Sequence, residues 1–340
     1  MEEPIDPRPW KKEVTDDPLR LAIVGVGQFA RDYILPAVEI SDYCQTTVLV
    51  SDEYDTIEYE EISKRLSSES FLNGVAVEAY DAVYVATPNH LHERMVRAAI
   101  SMEKPVLCEK PLAGTVDSAR SIYEQVEDAD LPFMIGYRVQ FKPVIRALQT
   151  AIRDGLIGTP IHAHSGVSFR IPVEDNNKWR LDAKRGGGAL RDIGIYPINT
   201  LKFLLERPLR PTWADLRTVD GFGDVDIHAA FSLSDGNNFR GVCTASFASE
   251  PSSSLRINGS EGLVVVDEPY HPSAQPDITI VKNGSEQKIT PDTYNEYAAQ
   301  LDYFAQCVFY DDHPTPDINE GVSDIEIIEL IEKLAYQTST

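Results

Sequence analysis

The chain has little positive charge, few cysteines and no long apolar stretch, and each shortage excludes something. Lys and Arg number 31 against 54 Asp and Glu, a formal net charge of −23 over 340 residues. Such a surface repels nucleic acid and anionic membranes. The acids are spread along the whole chain rather than gathered in a tail, and lysine is sparse relative to arginine. That composition fits a protein of a high-salt cytoplasm, where molar salt screens self-repulsion within about 3 Å. Cys44, Cys108, Cys243 and Cys307 lie far apart with no CxxC pair. Buried thiols are therefore expected, with no zinc site and no disulfide framework. The longest apolar runs, such as 21–26 and 83–86, are too short to span a bilayer. Met1-Glu2-Glu3-Pro4 lacks the basic start and apolar stretch of a secretory signal, so the cytoplasm is the expected location. No internal repeat or low-complexity tract stands out.

What is present reads as two domains. Hydrophobic residues make up 42% of the chain, enough for a core without staples. Residues 1–18 are polar and proline-rich and read as an arm. Residues 20–25 are an apolar run ending in glycine, as a buried parallel strand is, and a helix is expected at 29–39. Further strands are expected at 46–51, 82–87, 105–108 and 133–136. Helices are expected at 92–102 and 116–126, with a weak helical pattern at 60–66. Alternation of this kind means βαβ units and a parallel sheet, here over residues 1–137. The rhythm changes over 138–340. A helix at 143–153 closes at Gly155, a half-exposed strand follows at 161–170, and another helix is expected at 193–205. Residues 212–290 read as strands separated by Ser234-Asp235-Gly236-Asn237, Asn258-Gly259 and Asn283-Gly284. Two of these turns contain Asn-X-Ser and are read as hairpin turns, not glycosylation sites. Helices near 294–310 and 323–336 close the chain. The second domain is therefore expected to be α+β, built on a large, mostly antiparallel open sheet.

Gly25-Val26-Gly27-Gln28-Phe29-Ala30 follows the first strand and opens the first helix. Gly25 permits a tight turn, Gly27 lets a pyrophosphate approach the backbone, and Ala30 keeps helix and strand close. Gln28 and Phe29 lie in the turn whose N–H groups and dipole would face the phosphates. A Gly-rich turn alone says little. Placed at the first strand of a parallel domain, it makes residues 1–137 a Rossmann-type dinucleotide domain. Ser51 and Asp52 close the second strand, where the ribose acid is expected about twenty residues on. Asp52 would bond the adenosine 2′-OH and favours NAD. Asp52 and Glu53 would repel the 2′-phosphate of NADP, although both also read as ordinary acids of an acidic surface.

Three further runs carry chemistry. Ala86-Thr87-Pro88-Asn89-His90-Leu91-His92 ends one strand and Cys108-Glu109-Lys110-Pro111 ends the next. Strand C-terminal ends bind the ligand in doubly wound folds, so Thr87, Pro88, Asn89, Glu109 and Lys110 are cofactor-site candidates. His90 and His92 are two apart and face different sides of a helix, which argues against a metal pair. His92 is read as a neighbour of the nicotinamide ribose and His90 as structural. The third run, Gly186-Gly187-Gly188-Ala189-Leu190-Arg191-Asp192-Ile193-Gly194-Ile195-Tyr196, enters a helix of the second domain. Asp192 and Tyr196, four apart, share a helical face if the helix begins there. Plainer readings exist: Lys110 as a surface lysine, Tyr196 as core packing, Asp192 as a helix cap.

In this order the Gly-rich turn, Ala-Thr-Pro-Asn, Glu-Lys-Pro, the strand end Gly136-Tyr137-Arg138 and the Gly-Gly-Gly…Asp-x-Gly helix resemble the glucose–fructose oxidoreductase / inositol dehydrogenase (Gfo/Idh/MocA) family over nearly the whole chain. Many members carry His at the position of Tyr196 and Asp at that of Asn199. The form found here, with Trp179-Arg180-Leu181-Asp182 ahead of the glycines, is similar to the branch containing dihydrodiol and xylose dehydrogenases. The acidic composition points within it to the haloarchaeal xylose dehydrogenases. The resemblance implies an NADP-dependent sugar dehydrogenase, against the lean of Asp52 towards NAD. It implies oxidation of the anomeric carbon of an aldose, with D-xylose to D-xylonolactone as first candidate. It also implies a homo-oligomer, dimer or tetramer, formed through the open sheet.

An unperturbed phenol, near pKa ~10, is a poor base at neutral pH, and a lysine cation beside it favours the phenolate. Lys110 and Tyr196 are the candidate pair, with Asp192 accepting from sugar hydroxyls. Arg138, Trp179, Arg180 and Asn199 are candidates to line the sugar site. No metal is required, since hydride transfer is the cofactor's own chemistry. The alternatives are the same fold acting on another aldose, an inositol or a trans-dihydrodiol, or a non-enzymatic nucleotide sensor.

Overall fold

The computed structural model describes residues 17–52, 62, 64–171, 178–272 and 274–338. They divide into two compact units. One runs to Arg138 and takes in Tyr297–Ile325; the other comprises Val139–Glu296 and the chain from Glu326.

The first unit is built on six strands: β1 (Leu19–Val24), β2 (Cys44–Val50), β3 (Lys64–Leu66), β4 (Ala82–Val85), β5 (Val106–Glu109) and β6 (Phe133–Gly136). All pair in parallel, in the order β3-β2-β1-β4-β5-β6. β4, β5 and β6 are buried at every residue. A sheet covered on both faces selects such near-continuous apolar runs, which Glu109 interrupts at the end of β5. The helices are α1 (Leu35–Glu39), α2 (Ser68–Leu72), α3 (His92–Ser101) and α4 (Val116–Ala129). α2 and α4 start where a hydroxyl caps them: Ser67 accepts the Ser70 N–H at 3.1 Å and Thr115 that of Ser118 at 3.2 Å.

Three expectations change. The helical pattern at 60–66 gives way, in its described part, to β3, whose pairing with β2 outweighs a weak local preference; residues 60, 61 and 63 lie outside the described residues, as do 1–16 of the expected arm. The helix expected at 29–39 begins as a π-wound turn, Ala30–Ile34, before α1. Tyr297–Ile325, expected within a 138–340 domain, belong to the first unit. Ser41 Oγ donates to Asp302 Oδ1 at 2.5 Å, and Gly321 lies against the Ile135 side chain.

In the second unit, α5 (Pro143–Arg153) precedes β7 (Pro160–Ser168), and α6 (Ile195–Leu205) follows a second π-wound turn at Leu190–Gly194. Then come β8 (Arg210–Arg217), β9 (His228–Ser234), β10 (Arg240–Ser246), β11 (Ser252–Gly259), β12 (Leu263–Asp267), β13 (Ile278–Lys282) and β14 (Ser285–Ile289). The sheet order is β14-β13-β12-β11-β7-β10-β9-β8. Only β7 and β10 pair in parallel; the other neighbours are antiparallel. β10 alternates buried Gly241, Cys243 and Ala245 with exposed Arg240, Val242 and Thr244, so one face packs and the other is open. The expected Asn283-Gly284 turn joins β13 to β14 with both residues at positive φ, 54° and 77°, which a two-residue hairpin of matching twist requires. The chain closes with α7 (Glu296–Tyr310) and α8 (Ile318–Thr338). All four cysteines are buried as thiols. No helix among the described residues is long and apolar enough to cross a membrane.

Candidate active site

The sheet order reverses between β1 and β4, and the Gly-rich turn sits at that switch point. Gly25 has φ +95°, and its N–H bonds Val50 O at 2.9 Å. A Cβ there would lie 2.7 Å from Thr87 N and 2.8 Å from the Ala86 carbonyl carbon, so three strand ends converge on a point that only glycine fits. Gly27 is the opposite case. It is exposed, and a Cβ would meet nothing within 4 Å among the described residues, leaving open backbone where a phosphate would approach. Gln28 is exposed beside it, Ala30 is buried, and Phe29 packs edge-on to Tyr297 with ring centroids 5.9 Å apart. Thr87 Oγ1 is buried and meets no partner among the described residues. An open glycine, a helix start behind it and a hydroxyl still to be satisfied fit a dinucleotide.

Ser51 and Asp52 close β2. The Ser51 N–H bonds Leu66 O at 3.0 Å, and the Asp52 carboxylate accepts the Ser68 N–H at 2.8 Å. Asp52 thus fixes the loop after β3 as well as standing where a ribose acid would. Glu53 lies outside the described residues.

Lys110 follows β5, is half-buried, and is joined to Pro111 by a cis peptide. Glu109 beneath it turns inward. Its carboxylate accepts the Tyr84 hydroxyl at 2.6 Å and the Lys110 N–H at 3.2 Å. Gly136 makes the room, since a Cβ there would lie 2.9 Å from Glu109 Oε1. Burial pushes the Glu109 carboxyl up, opposed by the Tyr84 bond and the charges of Lys110 and Arg138. Burial first, then the charge of Glu109, pushes the Tyr84 hydroxyl well up. Arg138, expected at the sugar, is buried in this unit with its guanidinium 5.4 Å from the Tyr297 ring centre.

His92 differs from its expected place. It is buried, and its ring nitrogens meet backbone carbonyls: Nε2 lies 2.8 Å from Thr87 O, and Nδ1 lies 3.0 and 3.2 Å from Pro111 O and Leu112 O. It ties the loop after β4 to the loop after Lys110 instead of facing a ribose. Asn89 is buried beside the half-buried Pro88, and His90 is exposed.

Asp192, Tyr196, Arg180, Trp179 and Asn199 belong to the other unit. Asp192 is buried, and Arg180 Nε donates to its Oδ2 at 2.8 Å. The guanidinium also lies 4.6 Å from the Trp179 ring centre and 5.8 Å from that of Phe169. The glycines make this possible: the Gly188 N–H bonds Arg180 O at 3.0 Å, and a Cβ on Gly187 would collide with the Trp179 and Arg180 carbonyls. Asp192 does not cap the helix, which starts before it. The π-wound turn also replaces the simple α-helical start, and the two side chains reach different partners. Tyr196 is half-buried and stacks on Tyr270, centroids 5.8 Å apart and planes 15° from parallel. Tyr270 is buried and shares a 2.6 Å hydrogen bond with Ser165. Asn199 is buried and accepts the Gln140 amide at 2.9 Å. Tyr84, Gln140 and Tyr270 carry no motif; only the Tyr84 position, in the strand leading to Ala-Thr-Pro-Asn, gives any sequence signal.

Residues 19–137 match the oxidoreductase family with an NAD-binding Rossmann fold, and residues 145–265 match the GFO/IDH/MocA C-terminal domain. The chain belongs to the Gfo/Idh/MocA family. A D-xylose 1-dehydrogenase [NADP(+)] of Haloarcula marismortui is 35% identical, with 98% of this chain and 96% of that protein covered. A 1,5-anhydro-D-fructose reductase of Ensifer adhaerens is 26% identical, covering 89% and 92%. Among solved structures, the aldose-aldose oxidoreductase of Caulobacter crescentus complexed with glycerol superposes with a TM-score of 0.88 at 27% identity, covering 94% of this chain and 98% of that one. The chain is thus an oxidoreductase with an NAD(P)-binding Rossmann domain and a second domain on a mostly antiparallel sheet.

Proposed function

We propose that the protein oxidises the anomeric C1–OH of a cyclic aldose to the lactone, D-xylose to D-xylonolactone first among the candidates, with NADP as acceptor. The observation that carries this is Asp192, a buried carboxylate ion-paired to Arg180, on the same short helical segment as the half-buried Tyr196. Such an anchored carboxylate suits a polyhydroxy substrate, whose hydroxyls donate to it. The full-length similarity to a haloarchaeal xylose dehydrogenase supports the sugar and the cofactor. Asp52, whose carboxylate already receives the Ser68 N–H, leaves NAD as the alternative acceptor.

Bound NADP would supply the hydride acceptor, held over Gly25, Gly27 and Thr87. The protein's own residues handle the proton. As C1 is oxidised its hydroxyl proton passes to Tyr196 as base, and Lys110 stabilises the developing alkoxide by its charge. Asp192 orients the ring hydroxyls, with Arg180 keeping it in place and Trp179 offering a ring face. Asn199 and Arg138 act as scaffold. A high-salt cytoplasm and a homo-oligomer formed through the open sheet complete the proposal.

Lys110→Ala should lose at least about a hundredfold in turnover while nucleotide binding stays within about threefold; turnover within about tenfold of wild type overturns its role. Tyr196→Phe should lower kcat far more than it raises KM; a pure KM effect would reduce Tyr196 to a binding group.

A further inference from the structure

We infer that Asp226 is a positioning residue for the substrate half, pinning the start of the helical segment that carries Asp192 and Tyr196. It sits in the loop between β8 and β9, outside every motif of the sequence. Asp226 Oδ2 accepts the Leu190 N–H at 2.7 Å, at the first residue of the π-wound turn. The Asp226 carbonyl accepts the Ala189 N–H at 2.9 Å. A Cβ on Gly188, at φ +116°, would collide with Asp226 Oδ1. The same loop grips upstream as well: Asp224 Oδ1 accepts the Ala183 N–H at 2.9 Å, and a Cβ on Gly223 would collide with the Leu181 carbonyl. One loop therefore holds the backbone of residues 181–190 at several points, and that segment lies between Arg180 and Asp192, the ion pair of the proposed sugar site. The inference rests on that reading of the site for its effect on turnover, but not for the pin itself.

Among the described residues, Glu332 from α8 and Arg191 from the pinned turn act on Asp226 by their charge. Arg191 is itself paired with Glu332 at 2.7 and 2.9 Å. Burial pushes the Asp226 carboxyl up to about 6, and Glu332 adds to this; the Leu190 N–H and Arg191 oppose it. Above that pH the pin is an ionised acceptor, roughly twice as strong as the neutral form present below it. The helix start should therefore tighten as pH rises through about 6.

Trp179 reports on the segment directly. In a W10F/W213F background, where Trp179 is the single tryptophan, its emission should change with a midpoint near pH 6. D226N keeps an acceptor oxygen but not the charge, so it should abolish that transition and hold aldose turnover within about threefold of wild type. D226A should lower kcat by about tenfold or more and leave the nucleotide Kd, read by quenching, within about threefold. A flat Trp179 profile, an unchanged transition in D226N, or a D226A enzyme with near-normal kcat overturns the inference. Should D226A fail to fold, the D226N titration decides alone. Should the wild-type protein oxidise no sugar, the proposed function fails while the Trp179 titration still tests the pin.

Discussion

His92→Ala is the sharpest perturbation of the cofactor half. A neutral imidazole has a single N–H, and three carbonyl oxygens crowd its two nitrogens. Alanine removes one net hydrogen bond, worth about 1 kcal/mol, and leaves a buried carbonyl unsatisfied at about 1–3 kcal/mol. The emptied ring site adds a cavity term, so about 2–4 kcal/mol in all is expected. Thermal unfolding should show a drop on the order of 3–6 °C. The loops so loosened carry Thr87 and Lys110, so nucleotide Kd should rise about tenfold as well, which a loss of stability alone would not produce. His92→Gln and His92→Asn each restore one donor, and the better rescue identifies which bond matters. The pH dependence follows from burial, which holds His92 below its ordinary 6.5. The unfolded chain then takes up a proton before the folded one does. Stability is full above about 6.5 and declines as pH falls below it, and this decline should be smaller in His92→Gln. An alanine variant with unchanged Tm and unchanged nucleotide Kd would refute the reasoning.

The two glycines of the turn should behave oppositely. Gly25→Ala collides with backbone at positive φ and should destabilise the fold by about 2 kcal/mol or more, read by denaturant unfolding. Gly27→Ala meets open space and should leave stability within about 1 kcal/mol while weakening nucleotide binding; equal effects of the two would remove the distinction. Arg180→Ala removes the cation paired with the buried Asp192 carboxylate, and about 2–4 kcal/mol of destabilisation is expected, discounted for the 28% exposure of the arginine. Its KM for the aldose should rise, and a normal KM would place Asp192 away from the sugar.

Much of the first unit was legible because its signals are local. Mostly apolar runs mark β1 and β4–β6, and the glycines mark the switch point. β3 was hidden because three residues, Lys64–Leu66, become a strand only through their neighbour β2. The return of residues 297–325 to the first unit rests on long-range contacts that no window of sequence reveals. At the site, Gly25 and Gly27 could be read because glycine carries its reason in its own backbone. Lys110, Asp192 and Tyr196 were named from short motifs, whereas the environment of each depends on distant partners. Arg180 reaches Asp192 across the glycine run, Tyr270 stacks on Tyr196 from far along the chain, and Asp226 holds Leu190 from a loop without a motif. Glu109 and His92, expected at the cofactor site, turn towards Tyr84 and three carbonyls, contacts set by tertiary packing.

The central claim is tested most directly by mixing the purified protein with D-xylose and NADP in molar salt and following absorbance of the reduced nicotinamide. A steady rise that exceeds the rates with NAD, with inositol and with other aldoses, and that vanishes in Lys110→Ala, is the predicted result. No reduction of either nucleotide with any aldose would contradict it.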